Sequence, residues 1–210
     1  MDVLDLKKQY RHLYAPRAGA VDIVDVPDLQ FLMIDGRIEP GLAPGDSPGF
    51  AAAMNALYGT AYTLKFACKK RDAGPVDYPV MALEGLWTLT DLDADAAAKD
   101  NWTYRLMILT PDVVTPAACA DAQAELQRKK PAPANADVRL ERFCEGLCVQ
   151  ALHVGPYATE PETLARMKAH AQAEGFAVGL GHHEIYLGDP RRAEPAKLRT
   201  VLRLPLTRRG

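Results

Sequence analysis

The stretch from residue 46 to residue 68, DSPGFAAAMNALYGTAYTLKFAC, predicts one long amphipathic helix. Asp46 or Ser47 can accept hydrogen bonds from the free amides at a helix start, and Pro48 suits the first helical position. Apolar residues then recur at intervals of three and four, which places them on one stripe of about six helical turns. The stripe comprises Phe50, Met54, Leu57, Ala61, Leu64 and Cys68. Tyr58 and Tyr62 fall beside it.

Strand patterns flank this helix on both sides. Residues 21–26 alternate apolar and acidic side chains, which is the period of a half-buried strand. Pro27-Asp28 is a turn signal, so residues 30–34 are predicted to return as the partner strand of a hairpin. The elements predicted after the helix are strands over residues 80–89 and 104–109, and between them a loop or a turn of helix over the acidic, alanine-rich residues 91–100.

The same order of elements returns in the second part of the chain. Thr115 is predicted to cap a connecting helix over residues 115–130, with Pro116 in its first turn. The elements predicted beyond it are a hairpin of residues 138–143 and 148–154, a helix over residues 161–174 ended by Gly175, and strands over residues 182–187 and 198–204. Each half therefore reads strand, strand, helix, strand, strand.

This repetition predicts an α+β fold made of two copies of one small unit. The first half spans about residues 19–112, the connecting helix about 115–130 and the second half about 137–207. The helix of each half can cover one face of its sheet, so the other face must meet the partner half or a ligand. A cleft between two such sheets is the natural place for a small-molecule site.

Composition and charge exclude several classes of protein. Of the 210 residues, 48% are hydrophobic, and 25 Lys and Arg stand against 27 Asp and Glu. The near balance of charge argues against a general nucleic-acid binder. No stretch approaches the roughly 18 apolar residues of a membrane span, and residues 1–17 lack the apolar core of a signal peptide. We therefore expect a cytoplasmic protein whose four cysteines are free thiols.

The segment His182-His183-Glu184-Ile185-Tyr186-Leu187 is the most informative for chemistry. Side chains alternate along a strand, so His182, Glu184 and Tyr186 are predicted to share one face, with His183 on the other. In a partly dry cleft Glu184 could act as a general base or acid, and Tyr186 could donate to a substrate oxygen. The alternative is that this face is simply exposed to solvent. Because the two histidines point opposite ways, we expect no metal site here.

Two further clusters are candidates for ligand contact. A glycine beside Trp87 leaves room for a planar ring against the strand, and Glu84 adds a carboxylate nearby. Aromatic walls with carboxylates suit planar and cationic ligands. The alternative for Trp87 is a core position, which we favour for Trp102. The stretch HVGPY at residues 153–157 lies at a strand-to-helix junction, where Tyr157 can project toward the cleft.

Short segments in a fixed order support a family resemblance. They are Asp5-Leu6-Lys7-Lys8, His12-Leu13-Tyr14, Phe31-Leu32-Met33-Ile34-Asp35-Gly36, Ala61-Tyr62-Thr63-Leu64-Lys65-Phe66, Leu83-Glu84-Gly85-Leu86-Trp87, His153-Val154-Gly155-Pro156-Tyr157, His182-His183-Glu184-Ile185-Tyr186-Leu187 and Asp189-Pro190-Arg191-Arg192. This set resembles the stand-alone branch of the GyrI-like small-molecule-binding superfamily, over nearly the whole chain. The resemblance implies two tandem β-α-β-β units, the SHS2 module, with pseudo-twofold symmetry and a central ligand cleft.

The resemblance also implies a chemistry. Some stand-alone members are hydrolases that open the cyclopropane ring of cyclopropanoid genotoxins, with a glutamate in the cleft beside aromatic and tyrosine neighbours. The matching glutamate here is Glu184, and Glu84 is the second candidate because it occupies the analogous place in the first half. Such members often carry a second tryptophan where this chain has Thr88, which leaves the substrate open.

The sequence therefore predicts a protein that binds planar, electrophilic small molecules and hydrolyses them without a cofactor. Glu184 would activate water, while Tyr157 or Tyr186 would hydrogen-bond the substrate carbonyl oxygen. The predicted ligand contacts are Trp87, Glu84, Tyr58, Tyr62 and His182. The alternatives are a non-catalytic binder or sensor of cationic or aromatic drugs, with Glu184 as counter-ion, and a gyrase-inhibitor-like interaction protein. No nucleic-acid or membrane partner is expected, and the oligomeric state is left open.

Overall fold

Apart from the two predicted hairpins, the strands and helices follow the predicted order along the chain. A computed structural model describes residues 2–89, 102–190 and 192–208, so the predicted loop at residues 91–100 and Arg191 lie outside the described residues. The strands are β1 (Asp2–Val3), β2 (Val21–Arg37), β3 (Val76–Asp77), β4 (Leu83–Leu89), β5 (Trp102–Leu109), β6 (Arg139–Val154), β7 (Phe176–Val178), β8 (His182–Tyr186) and β9 (Arg199–Arg208). The helices are α1 (Leu6–Gln9), α2 (Arg11–Tyr14), α3 (Pro48–Lys69), α4 (Pro116–Lys129) and α5 (Glu160–Ala173).

The predicted β-α-β-β order occurs twice. Apart from the short strands β1, β3 and β7, the chain runs β2-α3-β4-β5 and then β6-α5-β8-β9, with α4 between the two series. This confirms the α+β class. The prediction of a single domain over residues 1–210, whose halves at about residues 19–112 and 137–207 are copies of one small unit, stays a prediction.

The predicted helix starts are confirmed by their capping contacts. Ser47 Oγ accepts a hydrogen bond from the Phe50 amide at 3.0 Å, and Pro48 opens α3. Thr115 Oγ1 accepts in the same way from the Ala118 amide at 3.2 Å, at the start of α4. In each case a side-chain oxygen satisfies one of the amides that the first helical turn leaves without a carbonyl partner.

Both predicted hairpins are wrong, because each is one continuous strand. Pro27 lies inside the 17-residue strand β2 rather than in a turn. Gly146 lies inside the 16-residue strand β6, where it adopts a φ of +71°. Proline and glycine signal local irregularity, which a strand can absorb at an edge or a bulge without reversing direction. Pro27 and Gly146 therefore do not reverse the direction of the chain.

The chain packs as two compact units, each assembled from three segments. The first unit comprises residues 1–9, 29–81 and 87–143, and the second comprises residues 10–28, 82–86 and 144–210. Strands β2, β4 and β6 each pass from one unit to the other.

In the first unit, α3 packs against β5 and α4. Strand β2 pairs antiparallel with β5, from Phe31 opposite Leu109 to Arg37 opposite Thr103. Gly59 allows α3 to approach α4 closely, since a Cβ at that position would lie 2.8 Å from Leu126 Cδ2. The close approach of two helices therefore depends on a residue without a side chain.

In the second unit, β9 is the strand with which three others pair. It runs antiparallel to β6 over Cys148–Val154, to β8 over His183–Tyr186 and to β7 over Phe176–Val178. Helix α5 covers this unit's apolar cluster, whose fully or nearly fully buried members are Val149, Ala151, Met167, Ala171, Leu202, Leu204 and Leu206. The pairing fixes which residues of β6, β8 and β9 stand side by side.

All four cysteines are free thiols, as predicted, with Cys144 exposed and the other three buried. Among the helices described, none has both the length and the apolar character that crossing a membrane requires.

Candidate functional site

Strand β8 shows the predicted alternation. His182, Glu184 and Tyr186 are partly exposed, whereas His183 and Ile185 are buried. The alternation follows from the pleat of a strand, in which successive side chains point to opposite faces. The three candidate residues of this strand therefore lie on one face, and His183 lies on the other.

His182 and Glu184 contact each other on the partly exposed face. The imidazole Nε2 lies 2.6 Å from Glu184 Oε1, and the two side chains are only 16% and 12% exposed. Residues two apart on a strand lie on the same face, close enough for their side chains to meet. Glu184 is therefore held in a largely sheltered position and does not extend into bulk solvent.

Tyr157 packs against Tyr186 beside this pair. Gly155, with a φ of +140°, and Pro156 precede a short 3-10 turn at Tyr157–Thr159. The rings of Tyr157 and Tyr186 meet edge to face, with centroids 6.1 Å apart. Burial, and then the charge of Glu184, raise the pKa of Tyr157 to about 12. Its phenol therefore keeps its proton and can donate a hydrogen bond.

Glu84, the second candidate carboxylate, lies in the interior of the second unit. Its side chain is fully buried, and Tyr14 donates a 2.7 Å hydrogen bond to Oε1. Oε2 lies 3.1 Å from His183 Nε2, and within the described residues neither of these two atoms has an aligned hydrogen-bond partner. The contact between Glu84 and His183 is therefore an ion pair. The angle between the two groups is too far from linear for a good hydrogen bond.

The opposite side of His183 meets a second carboxylate. Glu145 Oε2 lies 3.0 Å from His183 Nδ1 and 3.2 Å from Arg203 Nη1. Arg203 also donates to Gln150 Oε1 at 3.0 Å and to the Leu13 carbonyl at 2.8 Å. We call this set the buried polar network; its members are Tyr14, Glu84, Glu145, Gln150, His183 and Arg203.

The charges in the buried polar network balance. Burial alone would lower the pKa of His183, but Glu145 and Glu84 outweigh it and raise that pKa to about 9. Burial opposes ionisation of Glu145, but His183 and Arg203 hold its pKa well below the usual range. Two carboxylates thus meet one imidazolium and one guanidinium, which is the condition under which buried charges are tolerated.

The predicted aromatic contacts lie in the first unit. Trp87 is buried, stacks on Phe50 at 5.7 Å and meets Trp102 and Tyr104 edge to face. Tyr58 and Tyr62 stack on α3 with centroids 6.4 Å apart. Tyr62 is half exposed and borders a shallow depression of about 290 Å³, whose other lining residues are Thr63, Phe66, Ala67, Lys70, Glu125 and Lys129. The ligand contacts predicted for Trp87, Tyr58 and Tyr62 stay predictions.

The sequence interpretation missed four members of the buried polar network: Tyr14, Glu145, Gln150 and Arg203. One signal for Arg203 was available, because it interrupts the otherwise apolar run from Val201 to Leu206 in β9. A charged residue at such a place needs a buried partner. That partner, Glu145, lies 58 residues away in sequence, and only the pairing of β6 with β9 identifies it.

Within residues 2–89, 102–190 and 192–208, no group of three or more His, Cys, Asp or Glu side chains is placed to hold a metal ion. The two nitrogens of His183 face two different carboxylates, in accordance with an ion-pair role for the ring.

Comparisons with known proteins agree on family and fold. The GyrI-like small molecule binding domain matches residues 20–207. A conserved protein of Listeria innocua is 36% identical, with 97% of this chain and 100% of that one covered and a TM-score of 0.88. Two structures described as hydrolases from Listeria innocua are 36% and 35% identical, with 97% and 99% of this chain and 100% of those chains covered, at TM-scores of 0.82 and 0.84. No curated protein matches the chain.

Proposed function

Because this chain belongs to the GyrI-like small-molecule-binding family, we propose that it binds a planar, electrophilic compound at the partly exposed face of β8 and hydrolyses it. The observation that carries the proposal is the sheltered His182–Glu184 pair, 2.6 Å apart and beside two tyrosine rings. Two relatives about a third identical over nearly the whole chain are described as hydrolases, which supports the reaction class.

In the proposed reaction Glu184 is the general base. Its carboxylate takes a proton from water while the water oxygen attacks a carbon of the strained three-membered ring. The carbon–carbon bond of the ring breaks, and its electron pair passes through the conjugated system to the carbonyl oxygen. The proton then returns from Glu184 to the product, so that the net change is the addition of one water molecule and no cofactor takes part.

In the proposed reaction Tyr157 stabilises the oxygen on which charge develops. Its raised pKa keeps the phenol protonated, so that it can donate to an oxyanion without losing its own proton first. Tyr186 packs against it and is the second candidate donor. His182 Nε2 donates to Glu184 Oε1 when Glu184 is the carboxylate base, and so orients it.

The experiment uses a cyclopropane-dienone compound and mass spectrometry of the product. We expect the unaltered protein to add one water, and Glu184→Gln to retain binding but lose turnover by on the order of 100-fold or more. Glu194→Gln is the matched control, because Glu194 is an exposed carboxylate that pairs with the exposed Lys197. Binding without turnover in the unaltered protein would contradict the hydrolase proposal for this class of compound.

A binder without turnover is the second candidate function. The edge-to-face tyrosine pair beside Glu184 favours it, since aromatic rings with a carboxylate counter-ion suit planar aromatic cations. Titration with a planar aromatic cation distinguishes the two. Tight binding that falls in both Glu184→Gln and Tyr157→Ala, without chemical change in either test compound, would favour the sensor-like function.

A further inference from the structure

Three buried polar residues form one row across strands β6, β9 and β8. Gln150 stands opposite Arg203 in the β6–β9 pair, and Arg203 stands opposite His183 in the β8–β9 pair. Each is at most 2% exposed. Like charges directly opposite each other across an antiparallel pair repel. The imidazolium and the guanidinium therefore need a group between them.

Glu145 is that group. One of its oxygens, Oε2, contacts both cations, at 3.0 Å from His183 Nδ1 and 3.2 Å from Arg203 Nη1. Glu84 approaches the other ring nitrogen of His183 at 3.1 Å. The imidazole is thus held between carboxylates from β6 and β4, while its strand pairs with β9. None of these contacts can form if His183 moves to the opposite face of the strand.

The apolar residues of β8 alone specify its register weakly. Within His182–Tyr186, Ile185 is the one aliphatic side chain, and the strand is only five residues long. A slip of one residue would exchange the two faces, burying Glu184 and exposing His183. Buried polar and ionic groups are best attested as devices that fix register, because the wrong register leaves their charges unpaired.

We propose that His183 is a positioning residue: its contacts with Glu145 and Glu84, opposite Arg203, fix the register of β8 and so hold His182, Glu184 and Tyr186 on the partly exposed face. The consequence for catalysis rests on the proposed function, whereas the register of the strand does not. The register of β8 and the rate of turnover are therefore measured separately.

The register is measured by nuclear magnetic resonance on the isotope-labelled full chain. Cross-strand contacts between residues 183 and 203 and between residues 185 and 201 report the β8–β9 register, and contacts between residues 150 and 203 report the β6–β9 pair. In Glu145→Gln and in His183→Gln we expect loss of the β8–β9 contacts, or amide exchange in β8 that is faster by on the order of tenfold. The β6–β9 contacts should be retained in both variants.

Asp35→Asn is the matched control. Asp35 also contacts two cations, Arg105 and Arg139, but on the exposed surface of the first unit. The Asp35→Asn substitution should leave the β8–β9 and the β6–β9 contacts unchanged. Retention of the β8 contacts with unchanged amide exchange in β8, in both test variants, would overturn the proposal. Loss of the β8–β9 and β6–β9 contacts together would also overturn it, because that pattern indicates general destabilisation and not a change in the register of β8 alone.

Turnover of the dienone is the second readout. Misplacement of Glu184 should lower kcat on the order of 100-fold with a smaller change in KM, and a change confined to KM would argue against positioning. If the unaltered protein does not turn over the compound, the proposed function fails while the resonance contacts still decide the register. If neither variant folds, native-state hydrogen exchange of the unaltered protein decides: opening of β8 alone, well before β9, overturns the proposal.

Discussion

The phenol of Tyr14 donates a 2.7 Å hydrogen bond to Glu84, which lies 70 positions further along the sequence, and both side chains are buried. This bond ties α2 to β4 inside the second unit. Two further contacts hold the same short segment, because Arg203 donates to the Leu13 carbonyl and Gln150 donates to the His12 carbonyl. Residues 12–14, which precede the matched family domain, are therefore held against the core of this unit.

Tyr14→Phe tests that attachment. The change removes only the hydroxyl, which leaves a buried carboxylate oxygen without its donor and costs about 1–3 kcal/mol of unfolding free energy. Urea denaturation followed by fluorescence measures the loss. Tyr62→Phe is the control, because Tyr62 is half exposed and should change stability by less than about 0.5 kcal/mol. Equal effects of the two changes would contradict the account.

Glu145→Gln should be among the most destabilising single changes in the chain. It leaves the charges of His183 and Arg203 facing each other in the interior, and loss of one partner from a buried ion pair costs about 3–5 kcal/mol. The exposed Asp35→Asn should cost no more than about 1 kcal/mol. Chemical denaturation of both variants under the same conditions checks the difference. A cost for Glu145→Gln near that of the control would show that the buried charges are not held as described.

Stability should fall as the solution becomes alkaline, because His183 then loses its proton. The charged groups that face its ring are Glu84, Glu145 and Arg203, and Tyr14 lies beyond Glu84. The folded pKa of about 9 exceeds the unfolded value of about 6.5, so the stabilisation is complete below about pH 6.5 and is lost as pH rises through about 9.

The measurement is the unfolding free energy between about pH 6.5 and pH 10 in the unaltered protein and in His183→Gln. The unaltered protein should lose on the order of 3 kcal/mol across this window, and the variant should lose much less. A parallel decline in the two proteins would assign the pH dependence to other groups.

Gly59→Ala should destabilise the first unit although alanine favours helices. The added Cβ would lie 2.8 Å from Leu126 Cδ2 in α4, and overpacking of this kind costs about 1–3 kcal/mol, against about 1 kcal/mol gained in helix propensity. In the Leu126→Ala background the obstacle is gone, so the same change should stabilise by up to about 1 kcal/mol. Thermal unfolding of the four proteins measures the cycle, and an unchanged sign would refute the contact.

Tyr157→Phe tests which tyrosine assists the proposed hydrolysis. Because the Tyr157 phenol stays protonated beside Glu184, its removal should lower kcat about 100-fold, as loss of an oxyanion donor does elsewhere. Tyr186→Phe retains the ring contact with Tyr157 and should have the smaller effect. Steady-state kinetics on the dienone decides, and the reverse order of effects would assign the donor to Tyr186.

Sequence alone determined the elements whose signals are local. The spacing of the apolar residues from Phe50 to Cys68, with a serine and a proline before them, was enough to predict α3 and its cap. Two-residue alternation was enough to separate Glu184 from His183 on the two faces of β8. These features depend on neighbours within a few positions, and their physical causes act over that distance.

Tertiary structure alone decided how the strands run and what His183 contacts. Pro27 and Gly146 carry turn chemistry, yet the strands continue through them, because pairing along a whole strand outweighs a local preference. Glu145 becomes the shared partner of His183 and Arg203 only through the pairing of β6 and β8 with β9. A buried charge requires a compensating charge nearby in space, and the sequence does not state which distant residue supplies it.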